Sequence, residues 1–128
     1  MAKWVNAKVL DEGPNYIKVN CNKVVLVPSY TAGDSYATVN GAALADVTGL
    51  ASADFVLASS GSNRTLTAAT KTDTAANSSG GGAGNHIAYL NTTGSEVLWV
   101  TNETSGQAVV SGNPVVFPSL VYTSVQPV

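Results

Sequence analysis

The only histidine of the chain, His86, ends a glycine-rich run, SSGGGAGNHIAYL over residues 78–90, where a phosphate cradle could hand an imidazole to a strand. The spacing argues against that chemistry. A phosphate loop needs Gly-x-x-x-x-Gly-Lys-[Ser/Thr], and a dinucleotide fingerprint needs Gly-x-Gly-x-x-Gly opening a helix. Here no lysine succeeds the glycines, and the next residues, HIAYLN, read as a strand. As the base of a triad His86 needs a partner, and the chain has no Gly-x-Ser-x-Gly elbow to supply one. One histidine and one cysteine, without HExxH, cysteine pairs or an Asp-x-Asp-x-Asp-Gly loop, make no recognisable metal set. Asp46 with Asp54, or Glu96 with Glu103, could be imagined as a glycosidase pair. The separation such a pair needs, roughly 5 to 9.5 Å, is spatial, so these acids are read as solvated surface groups. The sequence therefore assigns no catalytic, metal or cofactor-binding residue, and the chain reads as a non-enzyme.

Cys21 stands alone, which rules out an intrachain disulfide and fits a small buried hydrophobe made in a reducing cytoplasm. Lysines at positions 3 and 8 interrupt MAKWVNAKVL, so no export signal or membrane anchor is expected. The four sequons beginning at Asn63, Asn77, Asn91 and Asn102 then read as by-products of Asn/Ser/Thr-rich loops.

Charged residues are 11% of the 128, against about 25% in ordinary soluble proteins. Ser, Thr, Asn and Gly take their place. With a net charge of only −2, such a surface repels its neighbours weakly and suits a protein that assembles. Six scattered Lys and Arg cannot neutralise a run of phosphates, so nucleic acid is not an expected partner.

The elements that must carry these residues read as strands from residue 23 onward. KVVLV (23–27) leads, and Asn40-Gly41 between YATV and AALADV predicts a type I′ hairpin. DFVLAS (54–59) and RTLTAA (64–69) form a second hairpin candidate, with Leu66 alternating between Thr65 and Thr67. HIAYLN (86–91) and EVLWVTN (96–102) form a third, in which Trp99 is a core anchor. QAVV (107–110) and VVFPSLVYTSV (115–125) make a last pair around Ser111-Gly112-Asn113-Pro114, with Pro118 marking an edge or bulge. Between them TKTDTAANSSGGGAGN (70–85) predicts a loop with a mobile tip.

Residues 10–22 are ambiguous. Pro14 fits the first turn of a short helix, while Ile17, Val19 and Cys21 alternate with polar residues as on a strand; the helix is favoured. The expectation is an all-β single domain, a β-sandwich or jelly-roll-like barrel with a short N-terminal helix. Residues 1–22 form an arm with that helix or strand, and 23–128 the sandwich with its flexible loop at 70–85. Trp4, Tyr16, Tyr30, Tyr36 and Tyr122 fall outside the clearest strands, where aromatics can stack on sugars, contact proteins or pack inside.

Three blocks carry a resemblance: WVNAKVLDEGPNYIKVNCNKVVLV (4–27), ALADVTGLASADFVLASSGSNRTLTAA (43–69) and HIAYLNTTGSEVLWVTNETSGQAVVSGNPVVFPSLVY (86–122). Together they resemble small structural proteins of tailed-bacteriophage heads. The resemblance implies a capsid decoration, or cement, protein on the outer surface of the virion, bound to the major capsid protein and stabilising the head. It implies no active site. Self-association as a dimer or trimer on the capsid is expected, with no membrane partner. Trp4, Val5, Val9 and Tyr16, ahead of or at the margin of the β body, are the expected contacts with capsid or neighbour subunit, and the arm Met1–Val9 is expected to order on docking. The alternative is a tail- or fibre-associated module that recognises a host surface glycan through exposed aromatics.

Overall fold

A computed structural model describes residues 3–127. The chain runs α1 (Ala7–Asn20), β1 (Lys23–Val27), α2 (Tyr36–Gly41), β2 (Ala45–Thr48), a 3-10 turn (Ser52–Asp54), β3 (Phe55–Ser60), β4 (Asn63–Ala68), β5 (Lys71–Asp73), β6 (His86–Asn91), β7 (Glu96–Asn102), β8 (Val115–Phe117) and β9 (Leu120–Ser124). The strands form three antiparallel sheets, ordered β2-β1-β6-β7, β3-β4-β9 and β5-β8. The protein is thus a small β-rich domain with an N-terminal helix.

One core joins all three sheets. Val24, Leu26, Ile87 and Tyr89 come from the four-stranded sheet, Phe55 and Leu66 from the three-stranded one, and Phe117 from the smallest. Ile17 and Cys21 add the end of α1 to the same cluster. Each fully buried side chain of this size contributes about 1.5 to 3 kcal/mol, so the shared core is what couples the sheets. Aromatic rings run across it: Phe55 meets Tyr89 edge-on at 6.0 Å, Tyr89 stacks on Trp99 at 4.7 Å, and Trp99 meets Tyr122 edge-on at 5.8 Å. Trp99 is therefore a core anchor, although itself only half-buried.

The hairpins at DFVLAS/RTLTAA and HIAYLN/EVLWVTN form with the expected partners. Leu66 is fully buried between half-buried Thr65 and Thr67, as alternation predicts. In β6 the alternation is lost, since Ile87, Ala88, Tyr89 and Leu90 are all buried. The reason is a second cluster on the opposite face of that sheet, where Val25, Val27, Ala88 and Leu90 are covered by Val39 of α2 with Tyr30 and Tyr36 alongside.

That second cluster overturns the Asn40-Gly41 hairpin. Ser35 caps α2 by accepting the Thr38 N–H at 3.2 Å, Val39 is buried against the sheet, and Asn40 Oδ1 takes the Lys23 ammonium at 2.7 Å. A type I′ turn needs positive φ at both central residues, and neither Asn40 nor Gly41 has it. Burial of one valine face in a short helix wins over the turn dipeptide.

The last predicted pair also does not form. Val109 bridges Gly80, β8 pairs with β5 and β9 with β4. Pro118 has no N–H to continue a ladder, so the long run 115–125 splits there into two strands on different sheets. In 70–85, expected as a loop throughout, Lys71–Asp73 is a strand and Ala76 and Asn85 are buried.

The helix of residues 10–22 is longer than expected and starts at Ala7, where Asn6 Oδ1 accepts the Lys8 N–H at 2.9 Å. Pro14 lies inside it, not at its first turn. An interior proline costs about 3 kcal/mol. Burial of Leu10, Pro14 and Ile17 along one face, with the Asn6 cap, offsets that cost.

Candidate functional site

The glycine run wraps a residue of its own chain. Asn85, 1% exposed, accepts the Gly82 N–H at Oδ1 (2.9 Å) and donates from Nδ2 to Gln107 O (2.9 Å). Its main chain links to Gly82 O and to the Glu103 N–H. Gly81, at φ +80°, must be glycine, because a Cβ there would collide with Asn85 Oδ1. His86 next to it has its Nδ1 2.7 Å from Gly84 O and its ring 5.9 Å from Tyr30. Sequence reading singled out the histidine and missed Asn85; an Asn directly before a strand at the end of a glycine run was the available signal.

Each imagined carboxylate pair is divided among other partners. Asp46 meets Lys23 at 3.4 Å and Asn77 at 3.0 Å, whereas Asp54 meets Lys71 at 2.6 Å. The Lys71 ammonium, helped by the Ala51 N–H, holds the Asp54 carboxyl below its ordinary value. Glu96 accepts from Tyr16 Oη at 2.8 Å and from Asn91 at 2.9 Å, and the bond from Tyr16 raises that phenol. Glu103 accepts the N–H groups of Ser105 and Gly106 at 2.7 and 3.0 Å. Burial pushes its carboxyl up, but these bonds outweigh burial and leave it below the usual range. Cys21 is buried, which pushes its thiol up to about 11. Among the described residues no group of three or more His, Cys, Asp or Glu side chains gathers, and no helix is long and apolar enough to cross a membrane.

A cleft of about 410 Å³ lies between the four-stranded sheet and the segments leading to β8. Leu26, Ile87, Val109 and Phe117 line it, with Asn85 and Glu103 among its polar wall. Both of those groups are already engaged in holding loops, so they serve here as struts.

The expected contact residues divide. Trp4 is 71% exposed, Val9 62% and Tyr16 48%. Val5 is half-buried, its backbone clasped by the Gln126 side chain. Met1 and Ala2 of the expected arm lie outside the described residues. On α1 the exposed apolar positions are Val9, Tyr16 and Val19, at i, i+7 and i+10, which places them on one outward stripe opposite the buried Leu10, Pro14 and Ile17. Val19 was not among the expected contacts, although the favoured helix over residues 10–22 contains it. Of the other aromatics, Tyr30 and Tyr36 pack on the second core cluster and Tyr122 on Trp99.

A second exposed surface is the outer face of the three-stranded sheet. Its register aligns Val56, Thr67 and Val121 in one row and Ala58, Thr65 and Thr123 in the next. Val56 and Val121 are 59% and 54% exposed, and none of the six carries a charge. No protein-family model matches the chain, and comparison with curated proteins and with solved structures also finds no match.

Proposed function

We propose that this chain is a non-enzymatic decoration protein of a tailed-bacteriophage head, which binds the outer surface of the major capsid protein shell and stabilises it. The observation that carries the reading is the outward stripe of Val9, Tyr16 and Val19 on α1, with Trp4 just ahead of it. The helix is anchored by its other face, so Val9 and Val19 keep most of their surface open to a partner, and Tyr16 keeps about half while its hydroxyl holds Glu96. The resemblance of three sequence blocks to small phage head proteins supports the partner's identity. In this reading the fold is a β-sandwich, supported by Tyr89 of one sheet and Phe55 of another meeting in one core. The protein is made in the host cytoplasm and resides on the outer capsid surface.

Binding only to the assembled, expanded lattice stabilises that lattice by linkage. A contact of amides, hydroxyls and apolar groups, with few ion pairs, also keeps its strength in salt. The test is thermal disruption of heads with and without the protein, at low and high ionic strength. Decorated heads should fail at higher temperature in both, and Trp4→Ala with Val9→Ser should remove the gain. Deletion of residues 2–8 is a poorer probe, because it removes the Asn6 cap of α1. Equal disruption temperatures, together with a defect in host attachment, would sink the reading in favour of a tail-associated glycan binder.

A further inference from the structure

We propose that β9 is a self-pairing edge, through which two copies of this chain join antiparallel about a two-fold axis into one continuous six-stranded sheet. Open sheet edges invite pairing, and proteins blunt them with charge, proline, bulges or cover. The two larger sheets have four edges, and three are blunted. At β2 the Asp46 N–H donates to Asp73 Oδ2 at 2.9 Å. At β3 the Lys18 ammonium sits 2.6 Å from Phe55 O and 2.7 Å from Ser52 O. At β7 the ladder to β6 breaks register between Tyr89 and Leu90.

None of these devices protects β9. Its five residues, LVYTS, carry no charge and no proline, and its register to β4 is continuous from Leu120 to Ser124. The Ala69 N–H donates to Asp54 O directly opposite, which sets the phase of the β3–β4 ladder. Leu66 therefore turns its backbone groups to β9 and meets Tyr122, while Val121 and Thr123 turn theirs to the open side. Val121 and Thr123 are both exposed, and the Gln126 clasp on Val5 lies beyond the strand's end.

The backbone pattern selects the occupant. What satisfies alternating outward N–H and C=O groups is another extended strand, and an antiparallel two-fold centred on Tyr122 pairs Val121 of each copy with Thr123 of the other. That register forms four backbone hydrogen bonds across the axis and places the two Tyr122 residues opposite one another. An isologous contact doubles whatever charge it contains, so a charged edge would repel itself. This edge brings no charge to the axis, and each copy carries only −2 in all. Pairing by this edge gives a dimer and excludes a trimer. A five-residue edge is smaller than the roughly 1,000 Å² of a stable interface, so the dimer is weak in dilute solution.

Sedimentation equilibrium of the isolated full chain tests this without any shell, so its outcome is independent of the cement reading. The mass should rise from 13.0 kDa toward twice that value between about 10 μM and 1 mM. Val121→Lys and Thr123→Pro should each weaken association at least tenfold, whereas Val116→Lys, a valine 60% exposed on β8, should leave it unchanged. In the unmodified protein, the Val121 and Thr123 amides should exchange more slowly with hydrogen as concentration rises, a readout that holds even if a variant fails to fold. A monomer throughout, a trimer, association indifferent to both β9 substitutions, or a monomer that uses β9 only to bind shells would each overturn the proposal.

Discussion

The Gln126 side-chain amide donates from Nε2 to Val5 O at 2.9 Å and accepts the Val5 N–H at Oε1 at 3.1 Å, tying together residues 121 positions apart. One amide thereby imitates a strand partner for the segment just before α1. Gln126→Leu should lower stability by about 1 to 2 kcal/mol, since two backbone groups lose their partner. Denaturant unfolding measures that loss, and amide exchange at Val5 should quicken with it. An unchanged Val5 exchange rate would show that the clasp does not hold the arm.

Asn85 should matter more than His86. Asn85→Ala leaves Gly82 N–H and Gln107 O without their partner and should cost about 2 kcal/mol, while His86→Ala should cost about half as much or less. Thermal unfolding of the two variants gives the comparison, and the reverse order would return attention to the imidazole.

The Cys21 thiol, pushed up to about 11 by burial, stays protonated at neutral pH and should resist alkylation until the protein unfolds. The folded value lies above the ordinary 9.0, so the unfolded chain ionises first. The contribution is intact below pH 9 and is lost as pH climbs from 9 to about 11. Cys21→Ala should cost stability at neutral pH through the cavity it leaves, yet flatten this alkaline decline. Rapid labelling of the native protein would contradict the burial argument.

Acid should weaken the Asp54–Lys71 link. Because the folded Asp54 carboxyl is held below 3.8, its contribution is complete above that value and disappears as pH falls through the folded one. Glu103 acts in the same direction from 4.5 downward. At neutral pH Asp54→Asn should cost about 0.5 to 1 kcal/mol, as expected for a partly exposed pair. As pH falls below 3.8, the loss of stability in that variant should be shallower than in the unmodified protein. Parallel acid limbs in the two proteins would remove Asp54 from the account.

Much of the strand pattern could be read in the sequence, because short-range rules decide it. Leu66 between two threonines, Gly61 at φ +61° in the tight turn between β3 and β4, and TTGS between β6 and β7 are local signals, and each hairpin closes where its own residues direct. The candidate surface was legible in part. Of the four expected contacts Trp4, Val9 and Tyr16 are exposed and Val5 is half-buried, and Val19 joins the exposed set only once Ala7–Asn20 is known to be helical.

By itself, then, the sequence determined the β-rich class, two of the hairpins and the scarcity of charge, since these rest on alternation, turn chemistry and composition. The tertiary structure alone decided that Asn40-Gly41 ends a helix, that residues on either side of Pro118 join different sheets, and that Asn85 is a buried strut. It also decided that β9 is left as an open edge while the start of the other edge, β3, is covered by a lysine from α1. Each of these depends on which distant surface a segment is buried against, as Val39 on Val25 and Val27 or Lys18 on Phe55 O. A few kcal/mol of burial or one charged hydrogen bond outweighs a local preference of about 1 kcal/mol, and no window of neighbouring residues contains that contact.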